Sequence, residues 1–222
     1  MEKYILQLKT LFEEHRSPEN AVPMEKYMKN HFPFLGIKKP LRAELEKRFY
    51  GETGLAKEPF NERFVRMLWE LPEREYQYVA LGYLAKLRRR LDAESLELAR
   101  ELITDKSWWD TVDALSQIPV GELAARFPDS IPLELDSWAV SENMWIRRTA
   151  ILYQLKYKHD TDESRLYTYI RQNADSREFF IQKAIGWALR EYSKTNRDSV
   201  REFIQNTKLA ALSRREGSKY LS

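Results

Sequence analysis

Four segments of this chain carry an alanine at a recurring distance: Ala80 in EYQYVALGYL, Ala114 in WDTVDALSQI, Ala150 in WIRRTAILYQL and Ala184 in FFIQKAIGWAL, separated by 34, 36 and 34 residues. A small residue at a fixed place lets two helices approach closely, and a period near 35 residues is that of stacked helical pairs. Five residues before the last three alanines stand Trp109, Trp145 and Phe179, all aromatic. Three residues after the alanines come Tyr83, Gln117, Tyr153 and Trp187, with Gln117 the exception to an aromatic series. The remaining segments follow the helical apolar period, and none sustains strand alternation. Prolines place helix starts at Ser17-Pro18, Lys39-Pro40, Glu58-Pro59 and Leu71-Pro72, since proline fits a first turn and disrupts an interior. Breaks at Leu91-Asp92, Thr104 to Ser107, Phe127 to Pro132, Ser141 to Asn143, His159 to Asp162, Ala174 to Ser176 and Thr195-Asn196 divide the rest into about a dozen helices. The expected fold is an all-α α-solenoid in a single domain over residues 1–222, with a globular helical bundle as the competing architecture.

Composition narrows the chemistry. The chain has no cysteine, which excludes disulfides and thiolate metal sites and fits a reducing, cytoplasmic setting. His15, His31 and His159 are scattered, so no histidine metal cluster and no cofactor is expected. The segment MEKYILQLKTLFEEH is charged throughout and reads as neither a signal peptide nor a membrane span, and no other segment has an apolar run of spanning length. The net charge of +3 is unevenly spread: residues 143–222 hold 16 Lys+Arg against 9 Asp+Glu, leaving 21 against 25 in residues 1–142. A basic C-terminal part suits nucleic acid or another polyanion, and equally a solvated helical surface.

Residues 106–113, Lys-Ser-Trp-Trp-Asp-Thr-Val-Asp, are the most informative short stretch. On a helix Trp109 and Asp113 lie on one face, which joins an electron-rich ring to a full negative charge in a place suited to a cation. Stacking the repeats aligns Asp113, Thr149 and Lys183 at one level, with Arg148 one residue earlier, and Gln117, Tyr153 and Trp187 on the next turn. Arg147, Arg148, Lys156, Lys158, Lys183, Arg190 and Lys194 would neutralise phosphates. A carboxylate repels a polyanion and so needs a compensating reason. Cleavage of an N-glycosidic bond supplies one, because the sugar becomes oxocarbenium-like in the transition state. The structural alternative is an ion pair of Asp113 with Arg148 or Lys183. Trp69, Trp108 and Trp138 read as packing residues, Tyr83 and Tyr153 as spacers between repeats, Arg88-Arg89-Arg90 as a solvated helix end and His31 as a turn residue.

Several motifs together resemble the AlkD-type DNA alkylation repair glycosylases. They are Tyr27-Met28-Lys29-Asn30 with Phe34-Leu35-Gly36-Ile37, Leu71-Pro72-Glu73-Arg74-Glu75, the 106–113 stretch, Trp145-Ile-Arg-Arg148 through Gln154-Leu-Lys-Tyr157, and Glu178 through Tyr192. The resemblance implies a right-handed α-solenoid of HEAT-like repeats with a concave DNA-binding groove. It implies a monofunctional glycosylase, without lyase activity, that removes cationic lesions such as 7-methylguanine and 3-methyladenine from double-stranded DNA without flipping them into a pocket. By the same resemblance Asp113 is the catalytic carboxylate, and Trp109 and Trp187 pack against the deoxyribose. Tyr27, Arg148, Lys156, Lys183 and Arg190 are the expected DNA contacts, and the protein is expected to act as a monomer. Arg197 departs from the family pattern, where proline is frequent, and leaves the start of that helix open. A non-catalytic repeat protein binding damaged or branched DNA, and a protein-binding scaffold, are the competing functions.

Overall fold

The computed structural model describes residues 1–221, and Ser222, the last residue of the expected domain, lies outside the described residues. The described residues form helices and connecting turns without a strand. They fall into two compact units, Met1–Leu91 and the residues from Asp92 onward.

The first unit contains α1 (Glu2–Glu13), α2 (Pro18–Tyr27), α3 (Lys39–Thr53), α4 (Glu62–Glu70) and α5 (Arg74–Leu87). Ser17 caps α2, and Pro18 occupies its first turn, where a missing N–H costs nothing. The start expected at Glu58-Pro59 is displaced: a 3₁₀ turn at Leu55–Lys57 intervenes, and α4 begins three residues after Pro59 because Asn61 accepts a hydrogen bond from the Phe64 N–H. Along α4 the buried set is Phe64, Val65, Leu68 and Trp69, a one-sided stripe that α5 covers. Phe64 meets the Tyr83 ring edge-on at 5.0 Å and stacks on Phe49 at 6.2 Å. Burying each such side chain stabilises the unit by roughly 1.5–3 kcal/mol.

The first unit is tied by a carboxylate. Glu75 is fully buried, and its oxygens accept the backbone N–H groups of Leu35, Gly36 and Ile37 at 2.9–3.0 Å. Burial pushes its carboxyl above the ordinary glutamate range, and the backbone donors oppose that shift. Arg74, also fully buried, stacks its guanidinium on the Phe32 ring at 3.8 Å, while its N–H donates to the Pro33 carbonyl. The turn needs Gly36, with φ +87° and the Ser17 carbonyl where a Cβ would stand. Two motifs forty residues apart in the chain are thus one hydrogen-bonded unit.

The second unit contains α6 (Ser95–Thr104), α7 (Trp109–Leu115), α8 (Gly121–Arg126), α9 (Ile131–Trp138), α10 (Met144–Leu152), α11 (Glu163–Gln172), α12 (Phe179–Tyr192), α13 (Arg197–Asn206) and α14 (Ala211–Gly217). The second helices of successive pairs stand in a row, α7 on α10, α10 on α12 and α12 on α14. Ala150 and Ala184 are buried in that row, as close helix approach requires. Asn196 caps α13 through the Ser199 N–H, so the helix starts at Arg197 without the proline. Two breaks were not apparent from the sequence. Pro119 and the non-helical Ile118 separate α7 from α8, and the segment around Leu209 separates α13 from α14.

Candidate active site

The row of helices gathers side chains from four repeats around one cavity of about 360 Å³. Trp109 opens α7 and Asp113 follows one turn later on the same face; both line the cavity. Arg148 comes from α10, and Phe179, Phe180, Lys183, Trp187 and Arg190 come from α12. Glu216 enters from α14. Of the sequence-derived candidates, Asp113, Trp109, Trp187, Arg148, Lys183 and Arg190 are therefore brought together. Beneath them the Trp108, Trp145 and Phe180 rings pack with centroids 5.0–5.9 Å apart and make a rigid floor.

Arg148 holds Asp113 by a fork of two bonds, Nε to Oδ1 at 2.8 Å and Nη2 to Oδ2 at 2.9 Å. Its Nη1 donates to the Phe180 carbonyl, and the residue is only 4% exposed. Of the two ion pairs the sequence offered for Asp113, the one with Arg148 is formed, and the guanidinium is engaged by the carboxylate and the backbone, whereas Lys183 faces Glu216. Thr149, aligned with Asp113 in the repeat, is fully buried and hydrogen-bonded to Ser116 and the Trp145 carbonyl, so its neighbour Arg148 faces the cavity instead. Gln117 breaks the aromatic series because its amide donates to the Asp113 carbonyl beside the Ile118–Pro119 break.

Removal from water raises the Asp113 carboxyl above the ordinary aspartate range; the Arg148 hydrogen bonds and charge oppose the shift, and nearby Asp110 adds to it. Arg148 thus favours the charged form at neutral pH and fixes its direction. Any reaction that uses ionised Asp113 should therefore lose rate as pH falls through this raised value, before ordinary aspartates protonate. A pH–rate profile whose acid limb coincides with that of a solvent-exposed aspartate would contradict this.

Other candidates lie elsewhere. Lys156 is exposed just beyond α10 and lines a separate hollow of about 540 Å³ with Tyr153, Tyr157 and Arg165. Tyr27 ends α2 in the first unit, with its side chain largely exposed. Tyr83 and Tyr153 are buried packing residues, as are Trp69 and Trp138. Arg88 and Arg90 do more than solvate a helix end: they donate to the carbonyls of Ala85 and Glu58. Sequence reasoning missed Glu216, which no motif or spacing marks, and Phe180, whose neighbour Phe179 occupies the repeat position. Among the described residues no helix is long and apolar enough to cross a membrane.

A row of paired helices with a site assembled across its repeats defines an all-α helical-repeat protein. The chain belongs to the DNA alkylation repair enzyme family, whose model matches residues 8–221. It is similar in structure to a protein described as "Predicted DNA alkylation repair enzyme from Enterococcus faecalis", at 37% identity and a TM-score of 0.86, covering 93% of this chain and 97% of that one. It is also similar to smu.31 from Streptococcus mutans UA159, at 20% identity, and to AlkD2 from Streptococcus mutans, at 19%, each with a TM-score of 0.61 over 83% of this chain and 99% of the other. At that identity the latter two speak for the fold, which is the AlkD-type helical-repeat fold. No curated protein matches the chain.

Proposed function

We propose that the protein is a monofunctional DNA glycosylase that hydrolyses the N-glycosidic bond of cationic alkylated purines, 7-methylguanine and 3-methyladenine, in duplex DNA. The observation that carries the reading is that Asp113, Trp109 and Trp187 line one cavity, with Lys183 and Arg190 beside them. An N-alkylated purine is already positive. When the bond from C1′ to the base nitrogen breaks, the bonding electrons go to the base, which leaves neutral and needs no acid. The positive charge passes to the sugar, where Asp113 and the two indole faces stabilise it more than they stabilise the ground state. Water then adds at C1′ and gives its proton to Asp113 or to solvent. Arg148 acts here through Asp113, by aiming the carboxylate. Lys156, Lys183, Arg190 and Tyr27 serve the DNA, and residues 1–222 act as one domain, as a monomer in the cytoplasm.

The test is release of free base from methylated duplex, followed by chromatography. The expected result is 7-methylguanine and 3-methyladenine in the supernatant, with uracil and neutral adducts retained. Equally fast release of uracil would overturn the charge-based mechanism. A second reading, a non-catalytic binder of damaged or branched DNA, draws on the bidentate Arg148 bond, which gives Asp113 a structural partner. It expects binding of methylated duplex with no base released.

A further inference from the structure

We infer that Glu216 is a positioning residue for this reaction, which pairs Lys183 and Arg190 so that their charges bind DNA without opposing the sugar cation; the inference rests on the glycosylase reading above. Glu216 lines the cavity from α14, with its side chain 9% exposed. Its Oε2 accepts from Arg190 Nη1 at 2.8 Å and from Lys219 Nζ at 2.8 Å, and its Oε1 faces Lys183 Nζ at 3.5 Å. The Lys219 hydrogen bond, with the charges of Lys183 and Arg190, holds its carboxyl below the ordinary glutamate range.

The backbone gives this carboxylate little freedom. A Cβ on Gly186 would fall 2.5 Å from the Glu216 Cβ and 3.2 Å from the Ser213 carbonyl, so α14 seats directly on α12 between Lys183 and Arg190. Ser213 adds a hydrogen bond from its hydroxyl to the Gln182 carbonyl at 3.0 Å. The close approach that glycine permits is what carries Glu216 to both cations.

Lys183 and Arg190 stand on the wall that also carries Trp187. Without a counter-charge they attract phosphate, which favours the bound ground state, and repel the positive sugar, which raises the barrier. Glu216 cancels much of their field at the sugar. A guanidinium has five N–H donors, so the bond that Arg190 Nη1 donates to Glu216 leaves most of the fork for a phosphate. The role is distinct from that of Asp113, which faces the sugar itself.

The test compares wild type with Glu216→Gln in single-turnover release of 7-methylguanine, and in affinity for unmodified duplex of the same sequence. The expected result is release slowed by roughly tenfold or more with affinity unchanged or tighter, a split that loss of packing would not produce. The double variant Glu216→Gln/Lys183→Gln should recover most of the lost rate, because it removes an unbalanced cation. Should Glu216→Gln lose the wild-type melting transition, the comparison passes to Glu216→Asp. That variant keeps the charge and should release base within roughly threefold of wild type.

Wild-type speed in Glu216→Gln overturns the inference, as does equal loss of affinity and rate, or a double variant no faster than the single. A folded Glu216→Asp slowed by more than that margin overturns it as well. An inactive wild type defeats the glycosylase reading and this inference together, whereas an active wild type with an indifferent Glu216→Gln defeats this inference alone.

Discussion

Asp113→Asn is expected to slow release of methylated purines by roughly 100- to 1,000-fold while leaving affinity for duplex DNA unchanged or slightly higher. The substitution is nearly isosteric and removes the charge that, on the proposed mechanism, stabilises the sugar cation. A carboxylate repels phosphates, so loss of its charge is not expected to weaken binding. The variant also leaves the guanidinium of Arg148, 4% exposed, without a charged partner. A stability cost of about 1–3 kcal/mol follows from that loss. Rates must therefore be measured well below the melting temperature of the variant, and single-turnover conditions separate the chemical step from binding. An unchanged rate would remove Asp113 from the mechanism. A rate lost in proportion to affinity would make it a structural ion pair.

The largest effect on stability is expected in the first unit. Glu75→Ala strips the acceptors from the backbone N–H groups of Leu35, Gly36 and Ile37, in a place closed to water. Each orphaned donor costs about 1–3 kcal/mol, and partial rearrangement of the turn brings the expected total to about 3–5 kcal/mol. Glu75→Gln keeps one carbonyl acceptor and should cost less. Urea unfolding would measure both, and a loss below about 1 kcal/mol for the alanine variant would show that water or another group takes over the turn.

Much of the architecture was legible because helix pairing leaves a periodic trace. The alanines at 80, 114, 150 and 184 all fall inside helices, and three of those helices stand side by side in the second unit. Ser17 and Pro18 marked a true start because cap and proline act within a single turn. Pro59 misled because the stronger signal, the Asn61 cap, lay two residues later. The cavity lining was legible where the repeat aligns it: Asp113 and Lys183 share one level, and Trp109 and Trp187 stand at fixed offsets from their alanines. The Asp113–Arg148 ion pair was among the alternatives the sequence offered, but its bidentate form and the entry of Glu216 were not legible, because each is local to one pair of helices. The bidentate grip of Arg148 depends on a one-residue offset from Thr149, and Glu216 reaches the cavity only because Gly186 admits α14. Glu75 closes the Leu71-Pro72-Glu73-Arg74-Glu75 motif, yet its partners lie in a turn forty residues away, a relation that no local pattern encodes.

The placing of the indoles has an optical consequence. Of six tryptophans, Trp109 and Trp187 wall the cavity and keep contact with solvent, whereas Trp69 and Trp138 are sealed inside. Intrinsic fluorescence is therefore expected to divide into a quencher-accessible and a shielded population, and a ligand filling the cavity is expected to move Trp109 and Trp187 from the first toward the second. Quenching by iodide would read such filling without any label attached.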